Sequence, residues 1–241
     1  MKIAIVGKGG VGKTFIASTL MKLFEKDGYN VIGVDCDPNP TLALSFGVEE
    51  DITPISKRKD IIEERVVLGD GVYNINPKVD DLIDKLGYKI GNITILVMGT
   101  IEKSGEGCVC PASTLLRKLM KHLILKEKQV VILDMEAGIE HFGRKTLEGI
   151  DLMLIVVEPT KKSILTAKRI VKLAKDLGIK NIGLIVNKVR NKNIDIDIGV
   201  PIYGIIPFDE QVLEAEAKGE SVDKGKAFEE IKNIYSKIVN R

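Results

Sequence analysis

The chain begins with an apolar run, a glycine-rich octapeptide and an amphipathic segment, and this order constrains its fold more than any other feature. Residues 3–6 read Ile-Ala-Ile-Val, residues 7–14 read Gly-Lys-Gly-Gly-Val-Gly-Lys-Thr, and apolar residues at helical spacing follow from Phe15 to Phe24. Strand, glycine turn and helix are the context in which G-x-x-x-x-G-K-[ST] indicates a phosphate-binding loop. A glycine turn that only connects a strand to a helix is the alternative.

The predicted loop would bind phosphate because several hydrogen-bond donors of its backbone point at one place. Glycines let several backbone N–H groups point at one place, and the helix N-terminus adds a partial positive charge. In such a loop Lys13 reaches the outer phosphates and Thr14 ligates Mg²⁺. Lys8 is a second lysine, beyond what the minimal motif needs. The predicted nucleotide-binding residues here are Gly9, Gly10, Val11, Gly12, Lys13, Thr14 and Phe15.

Short apolar runs recur along the chain and predict the buried strands of a parallel sheet. Amphipathic segments of helical length separate several runs; in residues 165–177, Ile170 and Ala174 share one face while Lys168 and Lys172 share another. We therefore predict an α/β fold, a single P-loop NTPase domain over residues 1–241. Its mostly parallel central sheet carries helices on both faces and binds ligands beyond the carboxyl ends of the strands. The runs are residues 31–34, 93–98, 130–133, 152–157, 182–186 and 202–206.

Composition narrows the function classes further. A chain of 241 residues with 44% hydrophobic residues can bury one good core. Lys and Arg number 36 against 34 Asp and Glu, so the formal charge of +2 suggests neither a nucleic-acid binder nor an acidic scaffold. The amino terminus enters a strand directly, no apolar run is long enough to span a bilayer, and three cysteines form no even disulfide framework. These features predict a cytoplasmic protein without stable membrane association or a nucleic-acid partner.

Carboxylates follow two predicted strands at their carboxyl ends. Asp35 and Asp37 come after the run 31–34, and Asp134 ends the run 130–133. Such a carboxylate, across from the phosphate loop, can bind Mg²⁺ through water or orient a water molecule. We assign Asp37 to the attacking water, and Asp35 and Asp134 to the Mg²⁺ shell with Thr14. For Asp35 or Asp37 alone, a helix cap before Pro38 is the alternative.

Two further segments follow predicted strands and border the nucleotide. Residues 136–144 read as a second switch in which Gly138 can bring a backbone N–H to the terminal phosphate, whereas a lone histidine such as His141 is more often structural. Asn187 and Lys188 can contact a base, as in GTPases. Guanine readers carry an acidic residue two positions after the lysine, but Arg190 stands there and cannot accept a hydrogen bond. The sequence therefore favours ATP.

Two surface segments are candidates for partner binding. Residues 51–92 interrupt the strand–helix alternation with a charged stretch at 56–65 and a turn at 74–81 that leads into a short helix. This insertion is the better candidate for a partner-facing surface, and a merely solvated loop is its alternative. Residues 161–192 carry ten basic residues and one acidic residue. DNA, a membrane surface or an acidic partner could bind there, but without interleaved aromatic residues a solvated helix face is favoured.

A pair of cysteines predicts a metal site in residues 105–111. Cys108 and Cys110 are separated by one residue and precede Pro111, which suits the first turn of a helix and biases Cys110 toward an extended conformation. Residues i and i+2 of an extended chain face the same side, so both sulfurs can converge, and a helix N-terminus favours the thiolate. Two thiolates half-fill a tetrahedral shell, and a two-fold dimer would supply four. Two small buried residues or a strained disulfide are the alternatives.

The phosphate loop resembles the deviant Walker A motif of the MinD/ParA branch of P-loop ATPases. The resemblance implies that Lys8 reaches across an ATP-dependent homodimer to the partner's phosphates, and that Lys8, Lys13 and Asp37 are catalytic. Residues 35–38 resemble the first switch of that branch. Its adenine-side loop is similar to the segment with Pro207, Phe208 and Asp209.

Within that branch, residues 97–99, 107–111, 115–117 and 134–141 resemble the CooC-type accessory ATPases, which mature the nickel cluster of carbon monoxide dehydrogenase. This resemblance implies ATP and Mg²⁺ as cofactors and Ni²⁺ or Zn²⁺ held by Cys108 and Cys110 across the dimer. It also implies a client metalloenzyme, carbon monoxide dehydrogenase first among the candidates.

Two other functions fit parts of the sequence. A positional ATPase acting on DNA or a membrane would use the basic segment 161–192 but gives no reason for the cysteine pair. An ATP-dependent iron–sulfur reductase with two cysteines per subunit would use that pair, but the known reductases of this kind carry their ligands far apart in sequence, unlike Cys108 and Cys110.

Overall fold

The strands and helices follow the predicted alternation closely. The computed structural model describes residues 1–49, 52–69, 71–99, 110–123, 127–139, 147, 149–190, 196–218 and 222–241. The strands are β1 Lys2–Gly7, β2 Asn30–Asp35, β3 Val67–Gly69, β4 Val72–Tyr73, β5 Tyr88–Ile90, β6 Ile93–Val97, β7 Gln129–Glu136, β8 Leu152–Val157, β9 Ile182–Val189 and β10 Ile202–Pro207. The helices are α1 Lys13–Lys26, α2 Lys59–Val66, α3 Leu82–Leu86, α4 Pro111–His122, α5 Lys161–Asp176, α6 Glu210–Lys218 and α7 Lys226–Val239.

Eight strands form one twisted sheet in the order β10-β9-β8-β1-β7-β2-β6-β5. Seven of them run parallel, and β5 pairs antiparallel with β6 at one edge. β1 lies between β7 and β8, so the glycine-rich loop that follows it opens near the middle of the carboxyl edge. The predicted α/β fold with a mostly parallel sheet is confirmed.

Helices cover both faces of the sheet, as their apolar stripes require. α1 and α7 bury one face, where Phe24 meets Tyr235 edge to face with ring centroids 4.8 Å apart. α2, α4 and α5 bury the other face through residues such as Ile61, Leu116 and Ile170. Over the described ranges, no helix combines the length and the apolarity that crossing a bilayer would require.

The insertion at 51–92 is more ordered than its charge pattern indicates. The expected exposure of residues 56–65 is wrong in part, because α2 forms there and buries Ile61 in the same core as the apolar residues of α4. The predicted turn into a short helix is confirmed by α3. Between these helices, β3 and β4 form a hairpin whose Leu68 and Val72 are exposed. A partner-facing role for the insertion stays a prediction.

Candidate functional site

The glycine-rich loop joins β1 to α1 through left-handed backbone. Gly10 and Gly12 have φ angles of 80° and 90°, a region in which a side chain is strained. A Cβ on Gly12 would also lie 2.3 Å from Nδ2 of Asn187, so this position is closed to larger residues by contact as well. Gly12 caps α1 without a side-chain hydrogen bond, and no acidic residue lies in the first turn. The positive end of α1 is therefore left to an anion from outside the helix.

The two lysines of the loop have different surroundings. Lys13 is only 5% exposed, and its Nζ lies 3.5 Å from the carbonyl oxygen of Lys8, so the side chain folds back over the loop. Lys8 is exposed at the start of the loop. An ammonium folded over an anion-binding loop is placed to neutralise a bound phosphate, whereas Lys8 is accessible to a second molecule.

Thr14 and Asp134, two residues of the predicted Mg²⁺ shell, are in direct contact. Thr14 Oγ1 donates a hydrogen bond of 2.6 Å to Asp134 Oδ2, across 120 residues of sequence. Asp134 is 2% exposed, and its Oδ1 has no hydrogen-bond partner among the described residues. Hard oxygen donors suit Mg²⁺, which binds through one or two carboxylates and keeps several waters. The buried Oδ1 of Asp134, which has no hydrogen-bond partner among the described residues, lies beside Thr14 and is therefore a suitable ligand for Mg²⁺ or for one of its waters.

Burial and neighbouring charge raise the pKa of Asp134 to about 7. Removal of the carboxylate from water is the largest cause; Asp35, its partner in the β2–β7 register, adds repulsion, while Thr14 and Lys13 oppose the shift. Without a cation, the ionised form is thus costly in the folded chain. Mg²⁺ would supply the missing counter-charge.

We expect Asp134→Asn to stabilise the nucleotide-free fold at high pH while it removes Mg²⁺-dependent hydrolysis. The pKa of Asp134 is about 7 in the folded chain, above the ordinary value that applies to the unfolded chain. At pH values between these two pKa values, the folded chain therefore binds more protons than the unfolded chain. As a result, the unfolding free energy of the wild type falls as pH rises through this interval. The stabilisation should therefore grow by about 3 kcal/mol from pH 5 to pH 8. Urea unfolding at both pH values measures it, with exposed Asp80→Asn as control. A pH-independent difference would contradict the buried charge.

Asp35 and Asp37 differ in what already binds them. Asp35 is fully buried; its Oδ1 accepts the N–H of Asp37 at 3.0 Å, and its Oδ2 accepts the N–H groups of Thr41 and Leu42 at 2.9 Å each. Burial raises the pKa of Asp35, and these three donors oppose the shift. Asp35 therefore holds the loop after β2 by accepting backbone N–H groups, much as a helix-capping residue does. Its participation in a Mg²⁺ shell stays a prediction. Asp37 is partly exposed and accepts the N–H of Asn39 at 2.9 Å.

Asn187 and Lys188 brace the phosphate loop from β9. Asn187, 4% exposed, donates from Nδ2 to the Val11 carbonyl at 2.8 Å, and Lys188 Nζ donates to the Gly10 carbonyl at 2.6 Å. Lys188 has a φ of 57°, an uncommon conformation outside glycine, and it holds this conformation while both its backbone and its side chain are hydrogen-bonded. A contact of either residue with a base stays a prediction, whereas the bracing contacts are present in the structure.

Glu158 supports Lys188 in its contact with the phosphate loop, a role that the sequence analysis did not predict. Its Oε1 lies 3.0 Å from Lys188 Nζ, and its N–H donates to Ser163 Oγ at the start of α5. Glu158 follows β8 at the carboxyl edge, as Asp35 ends β2 and Asp134 lies two residues before the end of β7. That shared position is the sequence signal by which Glu158 could have been found.

A cleft beside the loop gathers the predicted base-side residues. Its wall contains Gly12, Phe15, Asn187, Lys188, Pro207, Phe208 and Asp209. Arg190 covers the outer face of Phe208, with its guanidinium carbon 3.6 Å from the ring centroid. Asp209 accepts N–H groups of Gln211 and Ala227 at 3.1 Å each, and so fixes the starts of α6 and α7. The carboxylate of Asp209 thus has a structural role, and a contact of Pro207, Phe208 or Asp209 with a nucleotide stays a prediction.

The cysteine pair is described at Cys110 only, because Cys108 lies outside the described residues, as do residues 140–146 with His141. Cys110 caps α4 in an extended conformation with Pro111 in the first turn, which confirms the predicted local geometry. Within the described part of the chain, no three His, Cys, Asp or Glu side chains gather into a metal cluster.

Cys36 is buried directly after β2, and burial raises the pKa of its thiol well above the ordinary value. Gly138 lies two residues beyond β7, and its contact with a phosphate stays a prediction.

The whole chain resembles a solved structure of known fold. The MinD cell-division protein of Aquifex aeolicus superimposes with a TM-score of 0.70 at 21% identity, over 100% of this chain and 97% of that one. At this identity the likeness supports the fold alone.

Sequence relatives identify the family of the chain. An ATP-binding protein of Methanocaldococcus jannaschii, itself uncharacterised, is 66% identical over 99% of this chain and 98% of its own length. The carbon monoxide dehydrogenase accessory protein CooC of Rhodospirillum rubrum is 40% identical over 92% of this chain and 89% of its own. The family model of the CobQ/CobB/MinD/ParA nucleotide-binding domain matches residues 2–222. The chain belongs to this family, and it is an ATPase of the MinD/ParA type.

Proposed function

We propose that this ATPase is a metallochaperone that delivers nickel to a metalloenzyme, with carbon monoxide dehydrogenase as the client. The observation that carries the proposal is the location of Cys110 at the N-terminus of α4. Lys2, at the amino edge of the sheet, donates from Nζ to the carbonyl of Met120 near the other end of α4 at 3.4 Å. Cys110 therefore belongs to the carboxyl edge, where the phosphate loop also lies, so one dimer face could present both nucleotide and thiolates.

The proposed metal site is completed by a second copy of the chain. Cys108 and Cys110 would supply two thiolates from each subunit, and four thiolates make the closed tetrahedral shell that Zn²⁺ takes and that Ni²⁺ can occupy. The similarity to CooC, whose name ties it to carbon monoxide dehydrogenase, supports this reading. The metal is cargo in this scheme.

ATP would drive delivery by closing the dimer. A ligand shifts a conformational equilibrium only through its different affinities for the two states. Lys8 is exposed at the mouth of the loop, and Asp37 is partly exposed on the first switch, so both are available for contacts that form only in the closed state. Hydrolysis would remove these contacts and reopen the site, releasing the metal to the client.

Activation of nickel-free carbon monoxide dehydrogenase tests the function. The enzyme is mixed with the nickel-loaded chain and either ATP or a non-hydrolysable analogue, and its activity is followed over time. We expect faster activation with ATP than with free nickel at the same concentration, and no such gain with the Cys108→Ser/Cys110→Ser variant. Equal activation by free nickel and by the loaded chain with ATP would contradict the proposal.

Lys8→Ala should weaken ATP-dependent dimerisation while the monomer still binds nucleotide. The Lys8 side chain makes no hydrogen bond or ion pair with the described residues, and only its backbone carbonyl contacts Lys13, so its removal should leave the loop intact. We expect an increase of about tenfold or more in the dimer dissociation constant with an ATP analogue, in keeping with the loss of charge-assisted phosphate contacts. Analytical ultracentrifugation measures it, with exposed Lys26→Ala as control. An unchanged dimer would contradict the proposed role of Lys8 across the interface.

A positional ATPase is the second candidate, favoured by one observation. The exposed side of α5 carries Lys168, Lys172 and Lys175, which could bind DNA or an anionic membrane. Co-sedimentation with duplex DNA or with phosphatidylglycerol vesicles in the presence of ATP separates the two candidates. Binding to either at physiological salt, with no nickel transfer, would favour the positional role.

A further inference from the structure

A carboxylate stands beside the phosphate loop, where an anion is expected to bind. Glu158 follows β8 at the carboxyl edge of the sheet, and its Oε1 lies 3.0 Å from Nζ of Lys188. The same Nζ lies 2.6 Å from the carbonyl oxygen of Gly10, a residue of the loop. A negative charge at this place repels a nucleotide by Coulomb's law. Its contact with Lys188 is therefore the feature that needs a function.

The backbone of Glu158 is fixed by the start of α5. Its N–H donates to Oγ of Ser163 at 3.1 Å, and its carbonyl accepts the N–H of Thr160 at 2.7 Å. Thr160 caps α5 by accepting the N–H of Ser163 on its side-chain oxygen at 3.3 Å. α5 in turn packs against the sheet through buried residues such as Ile170. Glu158 thus presents its carboxylate from a rigid support.

Lys188 is held at both of its ends. Its backbone N–H donates to Oδ1 of Asn187 at 2.8 Å, while its Nζ contacts Gly10 and Glu158. The stem between them lies along the loop, because its Cε would be 4.0 Å from a Cβ placed on Gly12. A lysine side chain has several rotatable bonds, and holding it in one geometry costs conformational entropy. The carboxylate of Glu158 offsets this cost and keeps Nζ on the loop carbonyl.

The carbonyl that Lys188 holds also sets the direction of an N–H group of the loop. The peptide bonds of the described residues are trans, so the C=O and the N–H of each peptide unit point in opposite directions. Lys188 draws the Gly10 carbonyl toward β9, and the N–H of Val11 in the same unit faces away from β9. There it makes a long hydrogen bond of 3.4 Å to the carbonyl of Lys8, a weak contact that a phosphate oxygen can replace.

We propose that Glu158 is a positioning residue for nucleoside diphosphates and triphosphates, which holds Lys188 against the phosphate loop before the nucleotide binds. A loop whose donors are already oriented loses less freedom on binding and therefore has a higher affinity. The loop of this motif cradles the phosphates that ADP and ATP share, so both nucleotides should benefit equally. This inference goes beyond nickel delivery, because its contacts lie in the ATPase site and none involves the cysteine segment.

Electrostatics and positioning predict opposite results when this carboxylate is removed. Loss of the negative charge by itself would strengthen the binding of an anionic nucleotide. Loss of the positioning contact frees Lys188 and should weaken the binding. The direction of the change in affinity therefore separates the two effects. The side chains of Glu158 and Lys188 are 29% and 36% exposed, so removal of the pair should change the free energy of unfolding little.

Nucleotide titration of Glu158 variants tests the positioning role. Isothermal titration with ADP and with a non-hydrolysable ATP analogue gives the dissociation constants, and phosphate release gives kcat and KM for ATP. Glu158→Ala should raise both dissociation constants and KM about tenfold while kcat changes less than about twofold, because uniform binding is lost. Glu158→Gln keeps an oxygen that accepts from Lys188, so the increase should be smaller, about threefold. The control Glu63→Gln removes the same charge from an exposed position of α2 and should bind nucleotide as the wild type does.

A double-mutant cycle with Lys188→Met tests whether Glu158 acts through Lys188. Methionine keeps an unbranched stem but lacks Nζ, so in this background Glu158→Ala should not weaken ADP binding by more than about twofold. Equal weakening in both backgrounds, tighter ADP binding by Glu158→Ala alone, or a loss confined to kcat would overturn the positioning role. Glu158→Gln is nearly isosteric with the wild type, so the same criteria apply to it if urea unfolding shows that the alanine variant is destabilised.

Discussion

Replacement of Asp37 by alanine is expected to lower ATP turnover about a hundredfold or more while ATP affinity changes by less than about threefold. Asp37 lies at the carboxyl edge of the sheet, and its Oδ1 accepts only the N–H of Asn39 among the described residues. Its carboxylate is thus available to orient water, whereas the phosphate loop is built without it. Phosphate release gives the turnover, and titration with a fluorescent ATP analogue gives the affinity.

Asp37→Asn is the matched variant for this test. An asparagine keeps an oxygen that can accept the turn hydrogen bond from Asn39, but it has no negative charge. If Asp37 orients and activates water, both variants lose turnover, and only alanine also perturbs the turn. Wild-type turnover in Asp37→Ala would remove Asp37 from the mechanism.

Replacement of Cys108 or Cys110 by serine is expected to weaken Ni²⁺ or Zn²⁺ binding at least about a hundredfold, because a soft thiolate is lost from a four-thiolate shell. Isothermal titration of the reduced protein measures the affinity, and the thiolate charge-transfer absorbance reports the ligands. Metal must displace thiol protons, so the affinity of the wild type should fall as pH falls.

Cys36→Ser is the control for the cysteine variants. Cys36 is 2% exposed, and its buried thiol stays protonated because its pKa is raised. Metal affinity in this variant should stay close to that of the wild type. Tight binding that survives in Cys108→Ser/Cys110→Ser, or is lost in Cys36→Ser, would contradict the assignment of the cysteine pair.

The fold was predictable because its main signals are local. Six apolar runs became β2, β6, β7, β8, β9 and β10 with small shifts at their ends. The first five form buried strands, which need no polar alternation. The predicted burial of residues 202–206 is wrong in part, because β10 lies at the edge of the sheet and exposes Ile202 and Ile205. The short strands β3 and β4 escaped prediction, because two or three residues give no period to read. α2 escaped for another reason. Its charges dominate residues 56–65, and only packing in the core shows that Ile61 and Val66 face inward.

The site was predictable in its residues but less so in their roles. Asn187 reaches Val11 across 176 residues, and Thr14 reaches Asp134 across 120, so these contacts exist only once the sheet has formed. The sequence places Asn187 and Lys188 near a base, while the structure adds their hold on the phosphate loop. Likewise Asp35 is placed correctly at the end of β2, yet its three backbone hydrogen bonds depend on the path of the loop through Leu42.

The number of metal ions per dimer tests the central claim most directly. Reduced protein is titrated with Ni²⁺ under anaerobic conditions, and native mass spectrometry records the mass and the bound metal together, without nucleotide and with an ATP analogue. A shared four-thiolate site predicts one Ni²⁺ per two chains and a dimer that metal stabilises even without nucleotide, because only the dimer binds the ion tightly. One Ni²⁺ on each chain with the mass of a monomer would contradict the shared site and the nickel-delivery function built on it.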